Sequence, residues 1–186
     1  MQSKLFQYAG IAASVVLIAF GIGALYMGID GRGYVRENLA AEQIVGTDDS
    51  TIPGQKVDTG AEAQAFANVM RKHTLEATGG QTYAQMGRFL DESGKPTSDE
   101  KAAAVDAKSG QPVENPARDI WISSTAFQTA LNTAYFAESV ATFVIAIGGA
   151  LLLAGIGFLI LTVRLLKPEA ATARAVRTGA TAVAAS

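Results

Sequence analysis

His73 is the only imidazole in the chain, and cysteine is absent. A lone His on a helix can act as a proton-linked switch near neutral pH, or as one ligand of a site that a partner completes. It cannot supply two imidazoles to a metal. Thiolate ligands, disulfides, lipid-modified Cys and cysteine nucleophiles are excluded outright. The plainer fate of such a His is a packed ring with one nitrogen satisfied. Glu138 borders a long apolar run, and an acid inside a membrane would mark an ion or proton path. At the border it can reach the interface, so a solvated boundary residue is the simpler account. Asp48 and Asp49 lie in the turn-rich segment 46–54 (GTDDSTIPG) and could join Glu42 around a cation, but no D-x-[DN]-x-[DN]-G loop surrounds them. Ser and Thr nucleophiles need a base within reach. The chain has neither G-x-S-x-G nor a P-loop nor a dinucleotide fingerprint. The expectation is a chain with no catalytic, cofactor-binding or metal-binding residues, and not an enzyme.

The elements that hold these residues are set by charge-free runs. Residues 5–29 and 139–163 each contain 25 consecutive uncharged residues. At the helical rise each run is about 37 Å long, enough to cross a hydrocarbon core of roughly 30 Å with some tilt. The sequence therefore predicts an all-α membrane protein. Two transmembrane helices, 5–29 and 139–163, would flank a mostly helical extracytoplasmic insertion, 30–138. A cytoplasmic N-terminus, 1–4, and a cytoplasmic tail, 164–186, would complete it. The first run is too long for a typical signal-peptide core, and its exit Tyr26-Met27-Gly28-Ile29-Asp30 lacks an A-x-A-like site, so it reads as an uncleaved anchor.

Orientation follows from the flanks. Lys4 precedes the first span; Arg164, Lys167, Arg174 and Arg177 follow the second, against Glu169 alone. That bias places both termini in the cytoplasm, although Arg32, Arg36 and Arg118 stand on the loop side. The insertion carries 10 Lys+Arg against 16 Asp+Glu. Such an acidic segment is a poor partner for nucleic acid, which needs clustered cations. Tyr26, Tyr135 and Phe136 suit an interfacial aromatic belt.

Small residues mark helix-packing faces. Gly10/Ser14, Ala19/Gly23 and Ala24/Gly28 are small-xxx-small pairs in the first span. In the second, Ala146, Ala150 and Ala154 repeat every four residues. Ala141, Gly148, Gly155 and Thr162 repeat every seven, the spacing of a left-handed seam. These faces predict association, with the other span or with another chain; the sequence does not choose.

In the insertion, Asp30-Gly31-Arg32-Gly33 reads as a breaker, after which 34–43 can extend the first span above the surface. Thr59-Gly60-Ala61-Glu62 is a capping box. It opens a helix over about 60–78 whose apolar face is Phe66, Val69, Met70, His73 and Ala77, stopped by Gly79-Gly80. A second short helix is expected over 83–90. Segment 91–115 has little apolar bulk and reads as a mobile linker, with a single helix possible through Ala107. Asn115-Pro116 is a cap followed by Pro at the first helical position, opening one long helix over about 116–164, so that the second span is continuous with an outer helix.

The stretch His73–Met86 (HTLEATGGQTYAQM), preceded by Glu42-Gln43-Ile44-Val45 and Gly54-Gln55-Lys56-Val57, resembles a family of small two-span membrane proteins from actinobacteria. The shared pattern is H-x-L-E-A-(S/T)-G-G-x-T-Y-A between two spans, with a segment like Trp121–Tyr135 leading into the second. The resemblance covers most of the chain and is strongest over about 15 residues. It implies a two-span fold and no established activity, with His73, Glu76, Gly79, Gly80, Thr82 and Tyr83 as a core motif of unassigned role. Some members are described as aromatic-ring-opening dioxygenases. Extradiol enzymes of that type hold iron with two His and a carboxylate, a set that His73 alone cannot supply. The extended segment 91–115 is a departure from the family pattern.

The function expected is a non-enzymatic accessory or structural subunit, its spans packed in the bilayer against a larger membrane complex. A self-assembling two-span homo-oligomer, channel or sensor, is the alternative, although neither span carries a polar stripe to line a pore. No cofactor is expected.

Overall fold

The computed structural model describes residues 2–165. Met1 and the tail 166–186, including Lys167, Glu169, Arg174 and Arg177, lie outside the described residues, as does the Lys4 side chain. The fold is mostly helical: α1 spans Gln2–Ala41, α2 Gly60–Ala77 and α3 Pro116–Leu165. Two short strands, β1 (Phe89–Leu90) and β2 (Pro96–Thr97), and a 3-10 turn, Glu100–Ala102, lie between α2 and α3. Leu5–Ala41 and Pro116–Arg164 are each long and apolar enough to cross a membrane. The chain forms two compact units, one holding residues up to Ile29 and from Thr142 on, the other Asp30–Ala141.

In the first unit α1 and α3 run antiparallel along a seam of small residues. A Cβ added at Gly21 would lie 2.7 Å from the Leu152 amide nitrogen and 2.9 Å from the Gly148 carbonyl oxygen. One added at Gly148 would lie 2.8 Å from the Leu25 nitrogen, and one at Gly155 2.9 Å from the Ile18 nitrogen. Backbone thus meets backbone, which only glycine permits. On α1, Ser14, Gly21 and Gly28 are buried; on α3, Gly148 and Gly155 are. Seven-residue steps on both helices fit a shallow left-handed crossing. The Ser14 hydroxyl, fully buried, donates to the Gly10 carbonyl at 2.8 Å and so presents no orphan donor. Gly10 faces Thr162.

Gly148, Gly155 and Thr162 of the seven-residue row on α3, with the Gly10/Ser14 and Ala24/Gly28 pairs, therefore lie on the intramolecular seam. The Ala19/Gly23 pair and the four-residue row on α3 do not. Ala19, Gly23, Ala146, Ala150 and Ala154 are exposed, and nothing lies within 4 Å of a Cβ added at Gly23. A four-residue step drifts away from a seven-residue seam, so one helix face cannot serve both.

In the second unit α2 lies against α1 and α3. Leu39, Val57, Ala63, Ala67 and Leu131 form its core, ringed by half-buried Val35, Ile44, Ile52, Phe66, Met70 and Ala134. The Phe66 and Phe127 rings meet edge to face, centroids 6.4 Å apart. The capping box at Thr59 and Glu62 forms in full. The buried line of α2 runs through Gly60, Ala63, Ala67 and Thr74, with Val69. His73 and Ala77 are not on it. Small residues win that face because the helix axes approach closely; the larger side chains flank the contact.

Three local expectations are corrected. Asp30-Gly31-Arg32-Gly33 does not break α1, which continues to Ala41; the ion pairs described below hold this stretch in helical register. Segment 83–90 is not a helix: it forms turns and ends in β1. Segment 91–115 is a built lobe rather than a linker. β1 and β2 pair antiparallel, with Phe89 opposite Thr97, and bridges join Phe89 to Glu114, Asp91 to Ala103 and Val105 to Pro112. Its turns are closed by Asp91, which accepts from the Ser93 and Lys95 amides, and Asp106, which accepts from those of Lys108 and Ser109. Gly94 and Gly110 adopt left-handed φ of 76° and 67° behind them.

Candidate functional site

Among the described residues Glu138, on α3, is the most buried ionisable side chain. Arg32 Nε donates to its Oε1 at 2.8 Å, and Arg36 Nε and Nη2 reach the same oxygen at 2.8 and 2.7 Å. The Gly60 amide, at the first turn of α2, donates to Oε2. The Glu138 side chain is 9% exposed, while Arg32 and Arg36 keep 41% and 42%. One carboxylate thus joins three helices. Arg32 and Arg36 stand four residues apart on α1, where like charges repel; Glu138 converts that repulsion into a shared attraction. Gly60 is required here, since a Cβ would lie 2.9 Å from Tyr135 Cα and 3.0 Å from Glu138 Oε2. A buried pair of this kind locks geometry more than it adds net stability, because desolvation opposes the Coulomb gain.

A second cluster ties segment 44–57 to α2. Asp49 Oδ2 accepts from Lys72 Nζ at 2.9 Å and lies 2.9 Å from His73 Nε2; Thr47 Oγ1 donates to Oδ1 at 2.9 Å. The Lys72 ammonium, then His73 and the Thr47 hydroxyl, hold the Asp49 carboxyl far below the usual carboxylate range. The segment is itself closed by a Val45–Lys56 bridge. A Cβ at Gly46 would run into the Ile52 carbonyl oxygen. His73 is therefore half-exposed and turned to an acid rather than into the core. Asp49 is committed to these partners and does not gather with Asp48 and Glu42. Among the described residues no group of three or more His, Cys, Asp or Glu is arranged for a metal ion.

A third polar contact crosses between α2 and α3. The Thr74 hydroxyl donates to the Met70 carbonyl at 2.6 Å, so Ser124 is the donor in the short Ser124–Thr74 contact, and Gln128 Nε2 donates to Ser124 at 2.9 Å. Every hydroxyl in this buried chain is satisfied.

No family model, curated protein or solved structure matches this chain.

The motif residues serve different ends. Gly79 and Gly80, at φ of 64° and 78°, end α2, and the Gly80 amide donates to the Leu75 carbonyl at 2.7 Å. Glu76 is exposed, 4.0 Å from Lys72. Thr82 accepts nothing from the others; its amide and hydroxyl donate to Gln85 Oε1. Tyr83 lies beneath the Arg118 guanidinium, 3.8 Å from ring centroid to Cζ. The motif is thus not one site: His73 faces segment 44–57 and Tyr83 faces the start of α3. Sequence reading missed Arg32 and Arg36 as partners of Glu138. The signal was present, in two cations at i and i+4 just past one span and a lone acid just before the other.

Proposed function

We propose that this protein is a non-enzymatic integral membrane subunit, with both termini cytoplasmic and residues 30–138 outside, that associates with a larger membrane complex. It is read as belonging with the two-span family its central motif resembles. The observation that carries the reading is the contrast between the two sides of the paired helices. Only 11% of each apolar stretch is buried inside the chain. Outward stand Phe6, Phe20, Phe143, Leu153 and Phe158, at more than half exposure. Water does not tolerate so large an apolar surface on a soluble domain; lipid and neighbouring helices do. The exposed row Ala146, Ala150 and Ala154 gives a neighbouring helix a close approach.

In the second unit an apolar groove of about 510 Å³ opens between the outer parts of α1 and α3, walled by Val35, Leu39, Leu131 and Ala134. It adds apolar area that a partner would cover.

Purification in mild detergent, with mass measurement and identification of co-purifying chains, tests the proposal. A stoichiometric foreign subunit is the expected result. A single-chain homo-oligomer would favour the self-assembling alternative, and a homogeneous monomer would reject both. Accessibility labelling that found residues 30–138 on the cytoplasmic side would overturn the topology.

A further inference from the structure

The start of α3 carries a constellation that the Glu138 cluster does not use. Arg88, Glu114, Arg118 and Asp119 line a recess of about 210 Å³, with Tyr83 and Ile122 in its wall. Two guanidiniums and two carboxylates share one small cavity, yet among the described residues no ion pair joins them. Different parts of the fold supply them. Arg88 precedes β1, Glu114 lies across the bridge from Phe89, and Arg118 and Asp119 sit in the opening turns of α3. Arg118 is pinned: Nη1 donates to the Tyr83 and Met86 carbonyls at 3.3 and 3.0 Å, and the guanidinium lies over the Tyr83 ring. Its Nε and Nη2 are left to meet another acceptor. Arg88 stacks on the Phe89 ring, 5.1 Å from the centroid. Tyr83 and Ile122 continue into an apolar shelf of about 280 Å³ that also includes Trp121 and Thr125.

Balanced charges in one recess suit a ligand that carries both signs. A phosphate would meet two carboxylates, and a divalent cation would meet two guanidiniums. We propose that the recess binds a small zwitterion, an α-amino acid with an apolar side chain. Its carboxylate pairs with Arg88 and the open edge of Arg118, as guanidinium forks favour. Its ammonium pairs with Glu114 and Asp119. Its side chain lies on the shelf against Tyr83 and Trp121, where burial adds to the binding.

Trp121 is the only tryptophan in the chain, so its emission reports occupancy of the shelf. The experiment uses the full chain in detergent micelles, titrated with L-leucine, with isoamylamine (no carboxylate) and with 4-methylvalerate (no ammonium). The expected result is a saturable emission change with L-leucine at a Kd of about 1 mM or tighter, and at least roughly tenfold weaker binding of each analogue. Arg88→Ala and Glu114→Gln are each expected to weaken L-leucine binding by about tenfold, with the helical circular dichroism unchanged. Absence of saturation up to about 10 mM overturns the proposal. So does equal binding of the three probes, which would reduce the site to an apolar shelf. So does undiminished binding by both variants.

Discussion

Gly60 and Glu138 lie 78 residues apart, yet the amide of one donates to the carboxylate of the other. Arg32 and Arg36 hold the remaining oxygen of that carboxylate, so α1, α2 and α3 of the second unit meet at a single side chain. The arrangement is asymmetric. The guanidiniums can hydrate if the acid is lost, whereas the acid, nearly buried, has no comparable refuge if both guanidiniums are lost.

That asymmetry sets the expected order of damage. Arg32→Ala alone should cost about 1 kcal/mol, because a half-exposed pair contributes modestly and Arg36 remains. Arg32→Ala with Arg36→Ala should cost roughly 3–5 kcal/mol, more than the two singles combined, since a nearly buried carboxylate then loses both of its cationic partners. Hydrogen exchange of α2 amides in the full chain gives the comparison. Additive, small losses would show that the cluster is incidental.

Gly60→Ala should destabilise the same unit even though alanine is the better helix former. The added methyl group meets Tyr135 Cα and the Glu138 carboxylate, and overpacking of this kind costs about 1–3 kcal/mol. A variant as stable as the parent in thermal melts would refute the close approach.

The helix pairing of the first unit predicts a contrast between two glycines two residues apart. Gly21→Val should part α1 from α3, because its side chain would meet the backbone of Leu152 and Gly148; Gly23→Val should be tolerated, because nothing lies within 4 Å. The expected difference is about 1–3 kcal/mol. It is measured by comparing thermal melts of the two full-length variants in detergent. Equal behaviour of the two variants would place the seam elsewhere.

Asp49 supplies the pH dependence. Its folded carboxyl lies below its ordinary value of 3.8, through Lys72 first and then His73 and Thr47. A depressed acid contributes stability above its unfolded pKa and loses it as pH falls through the folded one. The tether of segment 44–57 should therefore persist at neutral pH and down past pH 3.8, weakening only in stronger acid. Asp49→Asn should lose it at every pH. Carbon NMR of the Asp49 carboxyl checks this, and an ordinary midpoint would contradict the ion pair.

The lobe between β1 and α3 should behave as structure. The amides of Leu90, Ala104 and Val113 donate within it at 2.9, 2.8 and 2.9 Å. They should exchange more slowly than those of an open loop. Rapid tryptic cleavage at Lys101 and Lys108 under native conditions would restore the linker reading.

The sequence alone determined the helical class, the two long apolar stretches, the Thr59–Glu62 cap, the Asn115-Pro116 start of α3 and the Gly79-Gly80 stop of α2. Each depends on a local rule: run length, a cap spaced three residues from its partner, or a residue that tolerates left-handed φ. The lobe was half legible. DESGKP and DAKSGQP each place an Asp before Ser-Gly and a Pro after it, a turn signal that low apolar content concealed. Only the tertiary structure decided which small-residue row became the seam, that α1 runs through Gly31 and Gly33, that His73 turns to Asp49, and that Arg32 and Arg36 enclose Glu138. Those outcomes depend on which surfaces meet, and contacts between residues far apart in the chain leave no periodic trace in either partner.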